Sequence, residues 1–481
     1  MIGIQFLANS DAMKHKKRVE PNRDLYRPLL IDIINPNHEL VRLEKLLDWD
    51  FFEREWNGFF PSTTGRPATA PRLVAGLLYL QHLHGLSDEG VLNRWLESPY
   101  YQHFCGMTFF EHRLPIDPSS LVRWRKRIGE EGMEWLLTKT IEAAQSSGAV
   151  SKRSMTQVIV DTTVMEKAIA HPTDSRLLET ARLQLVKQAV RHGIVLRQNY
   201  NRVAPRLAIQ AGRYAHAKQF KRMRRVLKFQ RTILGRLIRD IERKVIESSQ
   251  SLLNSLALAK RLHAQQPKDK KKLYSWHAPE VECIGKGKAR KPYEFGVKAT
   301  ITTTLKEGLV IGMRTLPGNP YDGHSLREAL EQTEILTGVR PQAAYVDRGY
   351  RGHGIESTEV YISGQKRGVT RSIKQKLKRR SAIEPIIGHM KTEGRLDRCT
   401  LKGELGDAMF ALLCGCGQNL RLILNHLRST APKFYWALVQ RLFWAGNPPN
   451  LMILTIWLRL DHMKQKKICV NQPCSGRTNE S

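Results

Sequence analysis

Three acids in this chain stand where a carboxylate can be delivered to a shared point. Asp161 closes the apolar run Gln157-Val158-Ile159-Val160, which reads as a buried strand with an acid at its end. Asp347 closes a second short run, Ala343–Val346, and Gly349 just after it frees the backbone to turn. Glu384 precedes Pro385, a residue favoured at the first helical position. Strand ends and a helix start can converge, and Mg²⁺ takes one or two carboxylates with its other positions left to water and phosphate oxygens. Two such ions about 4 Å apart activate an attacking oxygen and stabilise a leaving one. A lone acid at a strand end is usually a loop cap or a solvated charge; three in a basic chain are a stronger signal. Around Glu384 the pattern sharpens. Arg380 lies four residues before it and Lys391 seven after, the lysine on the helix face of Glu384, where it can hold a phosphate; both are expected DNA contacts. Glu393 and Asp397 are rivals for the third acid, with Glu393 ranked second because it falls on a different face.

The partner is read from charge. The 481 residues carry 78 Lys and Arg against 45 Asp and Glu, a net +33, which points to a polyanion and most simply to double-stranded DNA. Residues 176–272 hold 25 of the basic residues and 5 of the acidic ones, a local +20. Within them Lys221, Arg222, Arg224 and Arg225 are expected phosphate contacts. A second basic stretch follows Pro115–Ser120, where Leu121, Trp124 and Ile128 share a helix face and Arg123, Arg125, Lys126 and Arg127 crowd the rest. It suits the last helix of a helix-turn-helix-like module, with Arg123 and Arg125 as DNA contacts; a plain all-helical packing domain is the alternative. No C-x-x-C pair occurs among the 7 cysteines, against a zinc ribbon or a disulfide frame, and Cys414 and Cys416 read as packing residues. No run of about 18 apolar residues exists, since Phe434 to Leu460 is broken by Arg441, Gly446, Asn447, Pro448 and Pro449. The expected protein is soluble, cytoplasmic and nucleoid-associated, with no membrane partner and no small-molecule substrate.

These residues need elements to position them. Hydrophobic residues make up 41% of the chain, enough for a sizeable core. An N-terminal arm is expected over 1–37, with Met13 as a possible start and residues 1–12 as an extension. A helical DNA-binding domain follows over 38–150, with helices over Thr69–His84, entered through Gly65-Arg66-Pro67, and from Ser87. A mixed α/β domain follows over 151–430. Its strands are the run before Asp161, a hairpin of Tyr293–Leu305 and Leu309–Leu316 turning at Lys306-Glu307-Gly308, Ala343–Val346 and Val360–Ser363. Helices are expected from Asp322 to Leu336, from Pro385, and over Asp407–Leu427; residues 176–272 form a basic helical insertion after the first strand. The tail, 431–481, is expected to be dispensable for chemistry.

The motifs also carry a resemblance. Asp161-Thr162-Thr163-Val164 with His171-Pro172-Thr173-Asp174 resembles the first-acid region of bacterial insertion-sequence transposases of the DDE type. Asp347-Arg348-Gly349-Tyr350-Arg351-Gly352 resembles the second-acid motif. Arg380 with Ile383-Glu384-Pro385-Ile386-Ile387-Gly388-His389-Met390-Lys391 is similar to the third-acid signature, including the Arg-x3-Glu-x6-Lys spacing. The likeness is nearest to the family numbered five in the insertion-sequence classification and covers about residues 30–430. Where the wider signature has a tyrosine three residues before the arginine, this chain has Leu377. The resemblance implies an RNase H-like catalytic fold that binds Mg²⁺, with Mn²⁺ as a substitute. It implies an enzyme that binds terminal inverted repeats as a homodimer on paired ends, cleaves them, and joins the freed 3′-hydroxyls to target DNA. Two other readings stay open on the residues alone: a metal-dependent nuclease that cuts without joining, and a non-catalytic DNA-binding protein derived from a transposase.

Overall fold

In the computed structural model, residues 27–59, 69–245, 249–287 and 291–444 are described. The Gly65-Arg66-Pro67 turn, residues 1–12 and the chain after Trp444 lie outside the described residues. Seven helices come first: α1 (Leu30–Ile33), α2 (Glu39–Glu44), α3 (Trp49–Glu55), α4 (Pro71–Leu83), α5 (Asp88–Glu97), α6 (Pro99–Phe104) and α7 (Pro118–Ser146). Almost every side chain of α4 is buried, which follows from a run with no apolar period to spare, LVAGLLYL. Around it Phe52, Trp56, Trp95 and Phe104 are fully or almost fully buried, so these four aromatics are core. Ser87 caps α5 by accepting from the Gly90 N–H.

Along α7 the apolar stripe Leu121, Trp124 and Ile128 is buried as its spacing requires. Arg125 departs from the expected DNA-facing role. Its side chain is 4% exposed and its guanidinium binds both carboxylate oxygens of Asp88 on α5. A fork-shaped cation inside a helical core is satisfied by a bidentate acid, and Arg125 is spent on that pair.

One sheet of six strands follows: β1 (Gln157–Glu166), β2 (Glu282–Gly285), β3 (Tyr293–Thr304), β4 (Val310–Leu316), β5 (Ala343–Val346) and β6 (Glu359–Ile362). Across it the order is β4-β3-β1-β5-β6, with β2 paired to the start of β3. β1, β3 and β4 are antiparallel; β1, β5 and β6 are parallel. This is an RNase H-like mixed sheet, and the chain is an α/β protein with a helical region before it. Between β1 and β2 stand α8 (Asp174–Arg191), α9 (Ala204–His216), α10 (Phe220–Lys244) and α11 (Gln250–Ala264). They pack on a core of their own that includes Leu185, Leu234, Ile238, Leu252 and Leu256. The long basic insertion is therefore a self-supporting helical body.

After β4 come α12 (Asp322–Thr337), which ends at Gly338 with φ of 62°, then α13 (Arg371–Arg379), α14 (Ile383–Thr392) and α15 (Gly403–Trp444). Phe410, Ala411 and Cys414 of α15 join Met165, Ile301, Val310 and Met313 in one buried cluster under the sheet. Asn419 completes the edge of β4: its amide accepts from the Val310 N–H and donates to the Val310 carbonyl, each at 2.8 Å, and donates to Thr140 of α7 at 3.0 Å. A buried side chain thus replaces a missing strand at the sheet edge. Cys414 and Cys416 are fully buried, as packing residues should be.

Candidate active site

The sheet register brings the first two acids together. Ile159 of β1 pairs with Tyr345 of β5 in parallel, so two residues onward Asp161, in β1, and Asp347, just past β5, occupy matching positions. Adjacent strands lie about 4.8 Å apart and equal offsets give equal faces, so both carboxylates leave the same side. Asp161 is not at the end of its strand, as the apolar run suggests. β1 continues to Glu166 because β3 still pairs with it over Thr162–Glu166; only β5 stops, at Val346. What opens the site is the loss of one neighbour. Asp347 keeps an extended backbone and then enters a tight turn, its Oδ1 accepting from the Gly349 N–H at 2.8 Å. Asp161 Oδ1 accepts from the Thr162 N–H at 2.8 Å.

Glu384 arrives from the other side. Ile383 is fully buried against Ile159, Leu305, Ala343 and Tyr345, which pins the start of α14 over β1 and β5. Glu384, next in sequence, lies in the first turn of that helix, 66% exposed. Arg380 joins the two elements: one guanidinium nitrogen is 3.3 Å from Asp161 Oδ2 and another 3.6 Å from Glu384 Oε1. Burial pushes the Asp161 carboxyl up to about 6, with the charges of Asp347 and Glu384 adding to it and the Thr162 N–H and Arg380 opposing. Its anion is thus under-neutralised where it stands.

A fourth carboxylate escaped the sequence reading. Asp322, in the first turn of α12, accepts from Thr162 Oγ1 at 3.2 Å and from Lys298 Nζ at 3.1 Å. It braces the strand that carries Asp161. It also bounds the turn after Asp347, because a Cβ on Gly349 would stand 3.0 Å from both Asp322 Oδ2 and Asp347 Oδ1. Tyr350 lies buried nearby, and burial with the charges of Asp161, Asp322 and Asp347 holds its phenol protonated. Asp322 opens a helix, so its acid reads as a terminus charge; Lys298 lies 24 residues before it, and only the fold pairs them.

The rival third acids are elsewhere. Glu393 pairs with His389 at 2.8 Å and with Arg421 at 3.7 Å, and Asp397 lies near Lys291. Lys391 is half-buried two turns along α14 from Glu384. Lys221, Arg222, Arg224 and Arg225 are all exposed on α10, and Arg123 is exposed on α7, where it donates to Ser119. The reading also passed over α13. Residues 366–380 carry eight Lys and Arg and no acid, α13 has no buried residue, and Arg371, Lys374 and Lys378 are exposed. That run was visible in the sequence as an uninterrupted charge block leading into Glu384.

Hard carboxylate oxygens are suitable donors for a divalent cation. The spacing is not yet suitable: among the described residues no group of three or more His, Cys, Asp or Glu is close enough to hold a metal ion. Arg380 bridges two of the three acids where such an ion would need them.

Residues 29–127 match the family described as Transposase domain (DUF772), and residues 259–420 match the family described as Transposase DDE domain. The chain belongs to the DDE transposases of insertion sequences. Asp347 and Glu384 fall inside the second match; Asp161 lies between the two matches and is brought beside Asp347 by the register of β1 with β5. A Rhizobium meliloti protein, "Uncharacterized protein ORF8 in nfe locus", is 51% identical over 208 residues, 43% of the transposase and all of that protein. No solved structure matches the transposase. Among its described residues no helix is long and apolar enough to cross a membrane.

Proposed function

We propose that this transposase binds the terminal inverted repeats of an insertion sequence of the fifth family, cleaves the ends and joins the 3′-hydroxyls to target DNA. The observation that carries the reading is the convergence of Asp161, in β1, and Asp347, just past the end of the adjacent parallel β5, with Glu384, tied to Asp161 through Arg380. DDE transposases are divalent-metal enzymes; Mg²⁺ is the proposed ion, with Mn²⁺ as a substitute, and Asp161, Asp347 and Glu384 are its proposed holders. When bound it supplies charge stabilisation for displacement at phosphorus.

The chain's own residues do the rest. Asp322 and Lys298 fix the strand and turn that present Asp161 and Asp347. The exposed cations of α13 meet DNA phosphates beside the scissile bond, and Lys221, Arg222, Arg224 and Arg225 on the insertion hold flanking phosphates. Arg123 is a further backbone contact from the helical domain. Lys391, a flexible point charge on the face of Glu384, keeps the cut 3′ end bound so that its hydroxyl replaces water as nucleophile. Simultaneous cutting of two ends calls for two copies of the chain, one per end. The domains proposed for this division of labour are residues 38–150 for end recognition and 151–430 for chemistry, with 431–481 as a dispensable tail.

Purified protein with pre-cut end oligonucleotides and a plasmid target tests the reading through joined product. Wild type is expected to join, and Lys391→Ala to lose joining more than random Mg²⁺-dependent nicking. Robust nicking by wild type with no joined product would reduce the activity to a nuclease. Equal loss of both in the variant would place Lys391 at the acid site generally.

A further inference from the structure

Arg380 is held in an unusual place for a DNA-contacting arginine. It stands at the single 3₁₀ turn, Arg380–Ala382, that joins α13 to α14. Its side chain is only 14% exposed, inside a cluster of acids and not on a DNA-facing surface. It bridges Asp161 and Glu384 at 3.3 and 3.6 Å, both longer than the roughly 2.7–2.9 Å of a tight charge-assisted bond. Among the described residues no other cation is in contact with Asp161, while Asp322 next door has its own cation in Lys298. Asp161 and Glu384 therefore share one guanidinium, which sits loosely where a divalent cation would need to touch both together. Like charges cannot share that point.

The element that carries Arg380 is primed to be pulled. Arg371, Lys374, Lys376, Lys378 and Arg379 crowd one short helix with no acid among them, and like charges at i,i+4 oppose each other. α13 has no fully buried residue; it is held by Leu377, half-buried against the Ile159, Tyr345 and Ile383 cluster, and by Arg379, which donates to the carbonyls of Leu305 and Lys306. A phosphate run along such a helix relieves its repulsion and offers Arg380 a bidentate partner of the shape its fork favours.

We propose that Arg380 is a positioning residue that keeps the place of the cation between Asp161 and Glu384 until DNA phosphate draws it away, so that DNA and divalent metal bind cooperatively. The inference rests on the proposed function and adds to it a coupling between the two ligands. Because coupling is reciprocal, DNA tightens metal and metal tightens DNA by the same factor. In the DNA-free protein the acids stay organised yet closed to metal, which restrains cutting at sites where no DNA lies along α13.

The test uses full-length protein, Mn²⁺ as probe followed by the electron paramagnetic resonance signal of the free ion, and a short duplex bearing the element's end. Wild type, Arg380→Gln and Lys376→Gln are titrated with and without the duplex. Lys376 is the charge control, since it lies on the same helix but is half-buried, lining a hollow with Gln157 and Tyr361 and not among the exposed cations. Wild type and Lys376→Gln are expected to bind Mn²⁺ about tenfold or more tightly with DNA than without. Arg380→Gln is expected to bind Mn²⁺ about tenfold more tightly than wild type in the absence of DNA, with the duplex adding less than about threefold. The inference is overturned if Arg380→Gln binds as weakly as wild type without DNA, or keeps the full gain on adding it. It is overturned equally if Lys376→Gln reproduces the Arg380→Gln result, which would mean bulk charge and not place. Absence of Mn²⁺ binding by every protein, with and without duplex, would instead sink the proposed metal site beneath it.

Discussion

Two ionic clusters stand along one stretch of chain, one within β1 and one just past its end, and they follow opposite rules. Just past that end Lys167 reaches Glu280 and Asp407, both at 2.7 Å, with side-chain exposures of 4%, 8% and 5%. Cys399 adds its thiol to Asp407 and Glu280 accepts from the Gly403 N–H, so polar capacity is used up. Six residues earlier Asp161 has one shared guanidinium at 3.3 Å, two further acids nearby, and a carboxyl pushed up to about 6. The closed cluster fastens the strand to α15 and to the loop before β2. The open cluster carries charge the fold has not neutralised, and surplus charge of one sign in a cleft is what a ligand of the other sign can use.

The comparison predicts its largest effect at the closed end. Lys167→Met leaves two buried carboxylates without a cation and should cost about 3–5 kcal/mol in chemical denaturation. Asp161→Asn should leave the denaturation midpoint at or above the wild-type value near neutral pH, because folding holds its carboxylate at a disadvantage. A destabilised Asp161→Asn beside an unaffected Lys167→Met would reverse the assignment of the two clusters.

A buried histidine gives the next effect. His82 is buried among Arg125, Arg395 and Arg421, and burial first, then those charges, lower it to about 3 against the opposing charge of Asp88. The unfolded chain takes up this proton near 6.5 and the folded chain does not until about 3, so stability is complete above 6.5 and falls as pH drops toward 3. At pH 5 the loss from this one group is about 2 kcal/mol. Denaturation of wild type and His82→Gln at pH 7 and pH 5 checks it: the variant should lose less stability on acidification. An identical drop in both would remove His82 as its source.

Gly349→Ala sharpens the other side of the comparison. A Cβ there presses on the carboxylates of Asp322 and Asp347, so end cleavage should fall while the denaturation midpoint moves by less than about 1 kcal/mol. Normal cleavage with a lowered midpoint would make the turn a structural part only. The smallest expected effect is in the insertion. Replacing Lys221, Arg222, Arg224 and Arg225 by Ala should flatten the log–log salt dependence of DNA binding by up to about 0.9 per lost phosphate contact. An unchanged slope would return α10 to a solvated or subunit-contact surface.

What could be read from sequence was what local chemistry decides. The Lys306-Glu307-Gly308 turn falls between β3 and β4, β5 spans the residues its apolar run marks, and α12 stops at Gly338 with a positive φ that favours glycine. What could not be read depends on partners far along the chain. Asp161 sits within a strand because β3 continues past it, and its opening is set by where β5 ends. Arg125 looks like one more cation on a basic helix until Asp88, 37 residues earlier, is folded against it. Asp322 and Lys298 are ordinary residues apart and a brace together. Arg380 matched a spacing, but only geometry shows it pressed between two acids.

The central claim is that Asp161, Asp347 and Glu384 are one catalytic set. Its most direct measurement is divalent-metal-dependent cleavage of the element's ends by Asp161→Asn, Asp347→Asn and Glu384→Gln, each compared with wild type at matched DNA occupancy. The account predicts that all three lose cleavage, by about a thousandfold or more, while binding the same DNA with near wild-type affinity. Cleavage at the wild-type rate by any one of them would contradict it and exclude that acid from the set.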